Sequence, residues 1–195
     1  MASVSTDEIK KLREATGVSV MECKKALEEA EGDMEKAQVL LRKKSSAAAA
    51  KKADRELGAG TVASYIHASK DVGAMVVLSC ETDFVSKNPE FEALAYDIAL
   101  HVTASAPEFI SRTQVTDEAT QAAREVFEKE AADKPEEVRT RIVSGKMDSF
   151  LAEKVLLEQP FVKNPEKTIQ DLVEEATQKF GERIEISDMV RFSTR

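Results

Sequence analysis

Apolar residues recur every three or four positions along the first forty residues, and every second position just after Gly60. The two periods belong to different secondary structures, because side chains return to one face every 3.6 residues in a helix and every 2 in a strand. The chain is therefore expected to open with a helical unit and to build a sheet only beyond that change.

Residues 7–16 read as a first helix with Ile9 and Leu12 on one face, Ser5 or Thr6 as cap and Gly17 as stop. A second helix follows Ser19 and carries Val20, Cys23, Ala26, Leu27 and Ala30 as its apolar stripe until Gly32. Asp33 caps a third, with Met34, Ala37, Leu40 and Leu41 inward. Such a bundle lies near the lower size limit for independent folding. Residues 46–59 hold good helix formers but no large apolar residue before Leu57, so they read as a partly helical linker whose basic run is a solvated tether.

Beyond Gly60, residues 61–67 and 74–81 read as strands of a hairpin joined by the turn ASKDVG. Asn88-Pro89 opens a helix, Asn as cap and Pro at its first position, with Phe91, Leu94, Ala95, Ile98 and Val102 on the face that covers the hairpin. Further helices are expected over residues 117–132 and 136–157, the latter open to a break at Ser144-Gly145, and over 168–180 before Gly181. Residues 159–165 read as extended. Residues 184–192 alternate Ile184, Ile186, Val190 and Phe192 against Glu185, Ser187, Met189 and Arg191, which makes a third strand. The expected organisation is a three-helix domain at 1–45, a linker at 46–59 and an α+β core at 60–195, in which a three-stranded, mostly antiparallel sheet carries a helical layer.

Composition removes several classes of function. A formal net charge of −8 repels phosphate, and residues 61–195 carry most of it, with 16 Lys and Arg against 25 Asp and Glu. Nucleic acid is thus not expected as the main partner. No phosphate loop of either common glycine pattern occurs, so direct nucleotide binding is not expected either. Two Cys and two His, all scattered, make no metal-ligand spacing, and no cofactor is expected. Cys23 and Cys80 form no disulfide framework, which fits the bacterial cytoplasm or an organelle matrix. Neither a secretory leader nor a membrane-length apolar run is read in the chain.

The strongest enzymatic alternative is a cysteine hydrolase using Cys80 with His67 or His101 as base. Cys23 lies on an apolar stripe and reads as a buried thiol, and His101 as a satisfied structural histidine. At the end of the second expected strand, the apolar run AMVVLSC meets ETDFVSKNPE, so Phe84 falls where the sheet ends and before the next helix is capped. It either stands on the rim or turns back to cap the core. With nothing else known, the core cap is the ordinary reading of a lone Phe, and Asp83 that of a turn residue.

The stretch ETDFVSK resembles the T-D-F-V signature of the elongation factor Ts family, and LREATGVSVMECKKALEEAEGDMEKA over residues 12–37 resembles that family's N-terminal signature. The likeness continues through SYIH, HVTASAPEFI and LLEQPFVKNP into the last strand. This resemblance implies a non-enzymatic guanine-nucleotide exchange factor that binds elongation factor Tu in its GDP form and promotes GDP release. It further implies that Thr82, Asp83, Phe84 and Val85 form the exchange tip, with Phe84 wedging beside the partner's Mg2+ and phosphate site. A ubiquitin-associated-like N-terminal unit would dock through Lys10, Arg13, Val20 and Met21. Longer family members carry two related core subdomains, whereas only one core unit fits here, which suggests a homodimer. His67, in SYIH, is then a candidate second contact with the partner. The rival from another class is a peptide-binding adaptor built on the N-terminal unit.

Overall fold

The computed structural model describes residues 4–194. Its first three helices begin where short polar side chains satisfy otherwise unpaired backbone amides. The first, α1 (Thr6–Thr16), starts with a reciprocal capping box: the Ser5 hydroxyl accepts from the Glu8 N–H, and the Glu8 carboxylate accepts from the Ser5 N–H at 2.8 Å. Gly17 ends it at φ 69°, a left-handed conformation that a Cβ would strain. Ser19 caps α2 (Val20–Glu29) and Asp33 caps α3 (Met34–Ala50). Ile9, Leu12, Val18, Cys23, Ala26, Leu27, Ala37 and Leu41 close one small core between them. Val20, expected on the apolar stripe, is instead exposed at the first position of α2.

Helix α3 passes residue 45 and continues to Ala50, since the run KKSSAAAA contains no breaker. The extension is also packed. Ser45 is buried and its hydroxyl bonds the Gln178 side chain.

The chain then forms β1 (Ala59–Ile66), β2 (Val72–Cys80), a single turn α4 (Asp83–Ser86) and α5 (Pro89–Ser105). A helical hairpin follows, α6 (Asp117–Glu130) and α7 (Glu136–Lys154), then the short strands β3 (Pro160–Phe161) and β4 (Asn164–Thr168), α8 (Ile169–Phe180) and β5 (Glu185–Ser193). Helix α7 runs unbroken through Ser144-Gly145. The sheet order is β1-β2-β5 with both pairings antiparallel, so the fold is α+β as expected. Inward residues Val76 and Leu78 of β2 meet Phe91, Ile98 and Val102 of α5 and Ile169 of α8. Helix α8 also carries the N-terminal unit, through Ser45 and Gln178, an Arg42–Asp171 ion pair at 3.7 Å, and a Gln178–Glu22 hydrogen bond at 3.2 Å.

The alternation expected for the last strand holds for only half of it. Val77 faces Asp188 but Leu78 faces Ile186, which leaves Ser187 as an extra residue in a β-bulge. One inserted residue exchanges the faces beyond it. Ile184 and Ile186 are buried, yet Met189 and Arg191 take the inner side, and Val190 and Phe192 turn outward.

The extended stretch after Gln159 is a small antiparallel hairpin, β3–β4, tied to α5 by His101. His101 is fully buried; its Nε2 donates to Gln159 Oε1 at 2.9 Å, and its Nδ1 accepts the Val162 N–H at 3.3 Å. One donor and one acceptor require the neutral ring. Burial pushes its pKa down, opposed by the Gln159 bond. The unfolded chain takes up a proton below about pH 6.5, while the folded site resists it, so stability is full above that pH and declines as pH falls below it, until the folded ring is protonated too. Denaturant melts at successive pH values should show this decline, and His101→Gln should flatten it. An equal slope in both chains would contradict the assignment.

Candidate partner-binding site

The β1–β2 ladder ends at the Ala59–Cys80 pair, and the chain leaves the sheet at Glu81. Thr82 is extended, at φ −127° and ψ 158°, and the next four residues make the single turn α4. Successive residues on a helical turn point about 100° apart, so one can enter the core while its neighbour leaves it. Val85 is buried against the main core; Phe84 is 87% exposed. The rim reading of Phe84 therefore holds, and the core-cap reading does not.

Both ends of this turn are anchored. The Glu182 carboxylate, just beyond α8, accepts the Glu81 N–H at 3.1 Å, the Thr82 N–H at 3.0 Å and the Thr82 hydroxyl at 2.6 Å. In return the Glu81 carboxylate accepts the Arg183 N–H at 2.6 Å and receives the Arg55 guanidinium at 3.1 and 3.3 Å. These bonds hold the Glu81 carboxyl below its usual range, the Arg183 backbone bond most of all. At the far end the Thr61 hydroxyl donates to the Ser86 carbonyl at 2.7 Å. Asp83 is exposed and pairs with Lys87 at 2.7 Å; that hydrogen bond, then the Lys87 charge, lowers its pKa.

The remaining expected contact residues lie elsewhere. Lys10 and Arg13 are exposed on α1, and Val20 and Met21 are exposed at the start of α2. His67 follows β1 at the opposite end of the hairpin from the tip, about 26 Å from Ala59 for a strand rise of ~3.3 Å per residue. It is exposed, with Nδ1 2.6 Å from the Ser69 hydroxyl.

The family model for elongation factor Ts matches residues 4–195. Among curated relatives, the elongation factor Ts of Thermosipho melanesiensis is 45% identical over 192 residues, covering 97% of this chain and 98% of that one. That of Thermodesulfovibrio yellowstonii is 46% identical over 191 residues, covering 97% and 96%. That of Thermotoga neapolitana is 43% identical over 189 residues, covering 97% and 96%. The chain belongs to the elongation factor Ts family. Its single core unit is thus matched across nearly the whole length of these relatives.

For a member of the elongation factor Ts family, the site offers recognition groups rather than a reactive pair. Cys80 is buried, its thiol donates to the Thr82 carbonyl at 3.2 Å, and burial pushes its pKa up, which disfavours the nucleophilic thiolate. His67 stands at the other end of the strands, and both ring nitrogens of His101 are engaged. The hydrolase alternative therefore lacks a base next to its thiol. Among the described residues, no three His, Cys, Asp or Glu side chains gather as a metal site requires. Among the described residues, no helix is long and apolar enough to cross a membrane. Sequence reading missed Glu182, Arg55 and Arg183, because their partners lie from 26 to 128 residues away and no local pattern marks them.

Proposed function

We propose that this chain is the guanine-nucleotide exchange factor of elongation factor Tu in translation elongation, binding the GDP form and promoting GDP release by inserting the Asp83-Phe84 tip beside the Mg2+ site. The observation that carries this reading is the 87% exposure of Phe84 on a turn hydrogen-bonded at both ends. An ordered apolar ring held in water loses little conformational entropy on binding and gains its burial. At about 150–250 Å² for an aromatic side chain and ~25 cal/mol per Å², that burial supplies roughly 4–6 kcal/mol as an upper bound. Whatever part is realised only when GDP is loosened must weaken GDP equally, and typical couplings of about 1–3 kcal/mol correspond to roughly 5- to 150-fold. The exchange needs no covalent chemistry and no nucleotide bound to this chain.

Stopped-flow release of labelled GDP from elongation factor Tu tests the reading. Acceleration by the chain is expected; an unchanged rate, as a peptide-binding adaptor would leave it, sinks the proposal.

The exposed positions Lys10, Arg13, Val20 and Met21 supply docking affinity in this scheme, and the tip supplies the exchange step. Met21→Ala should therefore raise the factor concentration giving half-maximal release, by about tenfold for a buried apolar anchor, with the maximal rate little changed. A lower maximal rate at unchanged half-saturation would reverse that division of labour.

The second copy implied by the single core unit fits the outer sheet face. Val62, Ile66, Met75, Val190 and Phe192 are all exposed there, and the register sets Met75 beside Val190 and Gly73 between Ile66 and Phe192. An antiparallel sheet facing water ordinarily presents polar residues on that side. A two-fold axis through this face makes the same apolar rows meet themselves. The dimer would then offer two tips and two copies of His67, the latter as a further contact for elongation factor Tu. Both free thiols are buried, which suits the cytoplasm or an organelle matrix and a dimer formed without disulfides.

A further inference from the structure

We propose that Glu182 is a positioning residue of nucleotide exchange: it sets the direction in which the tip presents Phe84. This inference rests on the exchange reading above and adds to it a residue outside the T-D-F-V stretch.

The backbone at the end of β2 has a specific need. Glu81 and Thr82 lie beyond the last ladder pair, Ala59–Cys80, so their amides have no place in the strand ladder. A group left without an acceptor there would turn to water and take the following turn with it. Glu182 supplies the missing acceptor. One carboxylate oxygen takes both amides, at 3.1 and 3.0 Å, and the other takes the Thr82 hydroxyl at 2.6 Å. Charge-assisted bonds of this kind are about twice as strong as neutral ones.

Glu182 can do this because α8 stops just before it. Gly181 adopts φ 73° as the helix C-cap, which turns the chain toward the strand end. The bond is then returned. The Arg183 N–H donates to Glu81 Oε1 at 2.6 Å, and the Arg183 guanidinium reaches the Arg55 carbonyl at 2.6 Å. Two segments about a hundred residues apart thus clasp each other through their carboxylates. Toward the tip, no contact of the clasp reaches past Thr82. Asp83 and Phe84 take no part in it, so their side chains remain available to a partner while the backbone that aims them is held.

A residue that only staples the fold would lower stability and leave the exchange rate of the folded chain intact. A positioning residue affects the rate through Phe84. With elongation factor Tu and labelled GDP, Glu182→Ala should lower the maximal release rate by about tenfold, as a displaced recognition group does, with little change in the half-saturating concentration. Glu182→Gln should stay within about threefold of the parent chain, because its carbonyl accepts both amides and its amino group donates to the Thr82 hydroxyl. On a Phe84→Ala background, Glu182→Ala should add nothing, since it has no ring left to aim. Thr82→Val, which removes one of the three contacts, should cost about threefold and serves if Glu182→Ala fails to fold. Release at the parent rate in Glu182→Ala or, failing that variant, in Thr82→Val would overturn the inference, as would full additivity with Phe84→Ala. If the parent chain itself fails to speed release, the exchange reading falls first and this inference falls with it.

Discussion

Phe84→Ala should melt within about 0.5 kcal/mol of the parent chain and should slow stimulated GDP release by about tenfold or more. The two halves of this expectation come from one geometry. The ring is 87% exposed and makes no core contact, so its removal leaves no cavity. The cavity penalty of about 3–5 kcal/mol that a buried Phe would bring is therefore absent. Phe91, fully buried under the sheet, is the contrasting case, where that penalty should appear in full. Asp83→Ala should follow Phe84→Ala more mildly, because its carboxylate already pairs with Lys87 and buries little apolar surface. Thermal melts and stopped-flow release on the same preparations measure both quantities. A Phe84→Ala chain that melts normally and still releases GDP at the parent rate would remove the tip from the mechanism.

Phe192→Asp should convert the proposed dimer to a particle near 21.4 kDa, read by light scattering at micromolar concentration. In a two-fold interface each substitution counts twice. Two carboxylates would enter a face otherwise made of Val62, Ile66, Met75 and Val190. Even a few kcal/mol per side, the scale of an unpaired group kept from water, multiplies to a shift in dissociation constant of about a thousandfold or more. The fold itself should persist, since Phe192 is 70% exposed and lies near the end of β5. Melting should stay cooperative, and reducing agent should leave the parent dimer intact because both cysteines are buried. A parent chain that scatters only as a monomer would sink the dimer outright.

Local chemistry makes much of this protein legible in its sequence. The starts of α1, α2, α3 and α5 sit after Ser5, Ser19, Asp33 and Asn88, because capping is a bond between residues two or three apart and needs no distant partner. The stops at Gly17 and Gly181 are local for the same reason, a left-handed residue being cheapest as glycine. The hairpin and the strand-end position of Phe84 followed from a period of two ending at a cap signal, and the resemblance of ETDFVSK made that position a candidate tip.

What tertiary structure alone decided depends on bonds between segments far apart in sequence. Nothing near Phe84 says whether its ring enters the core or leaves it; that follows from Val85 taking the inward place while Glu182 and Thr61 hold the turn from either side. The run of alternating residues at the end of the chain looks regular, yet the pairing of β5 with β2 inserts Ser187 as a bulge and sends Val190 and Phe192 outward. Helix α3 outlasts its apolar stripe because α8 accepts Ser45 along its side. Alternation and capping are properties of neighbours, and a sequence displays neighbours; register, facing and clamping are properties of partners, which only the folded chain brings together.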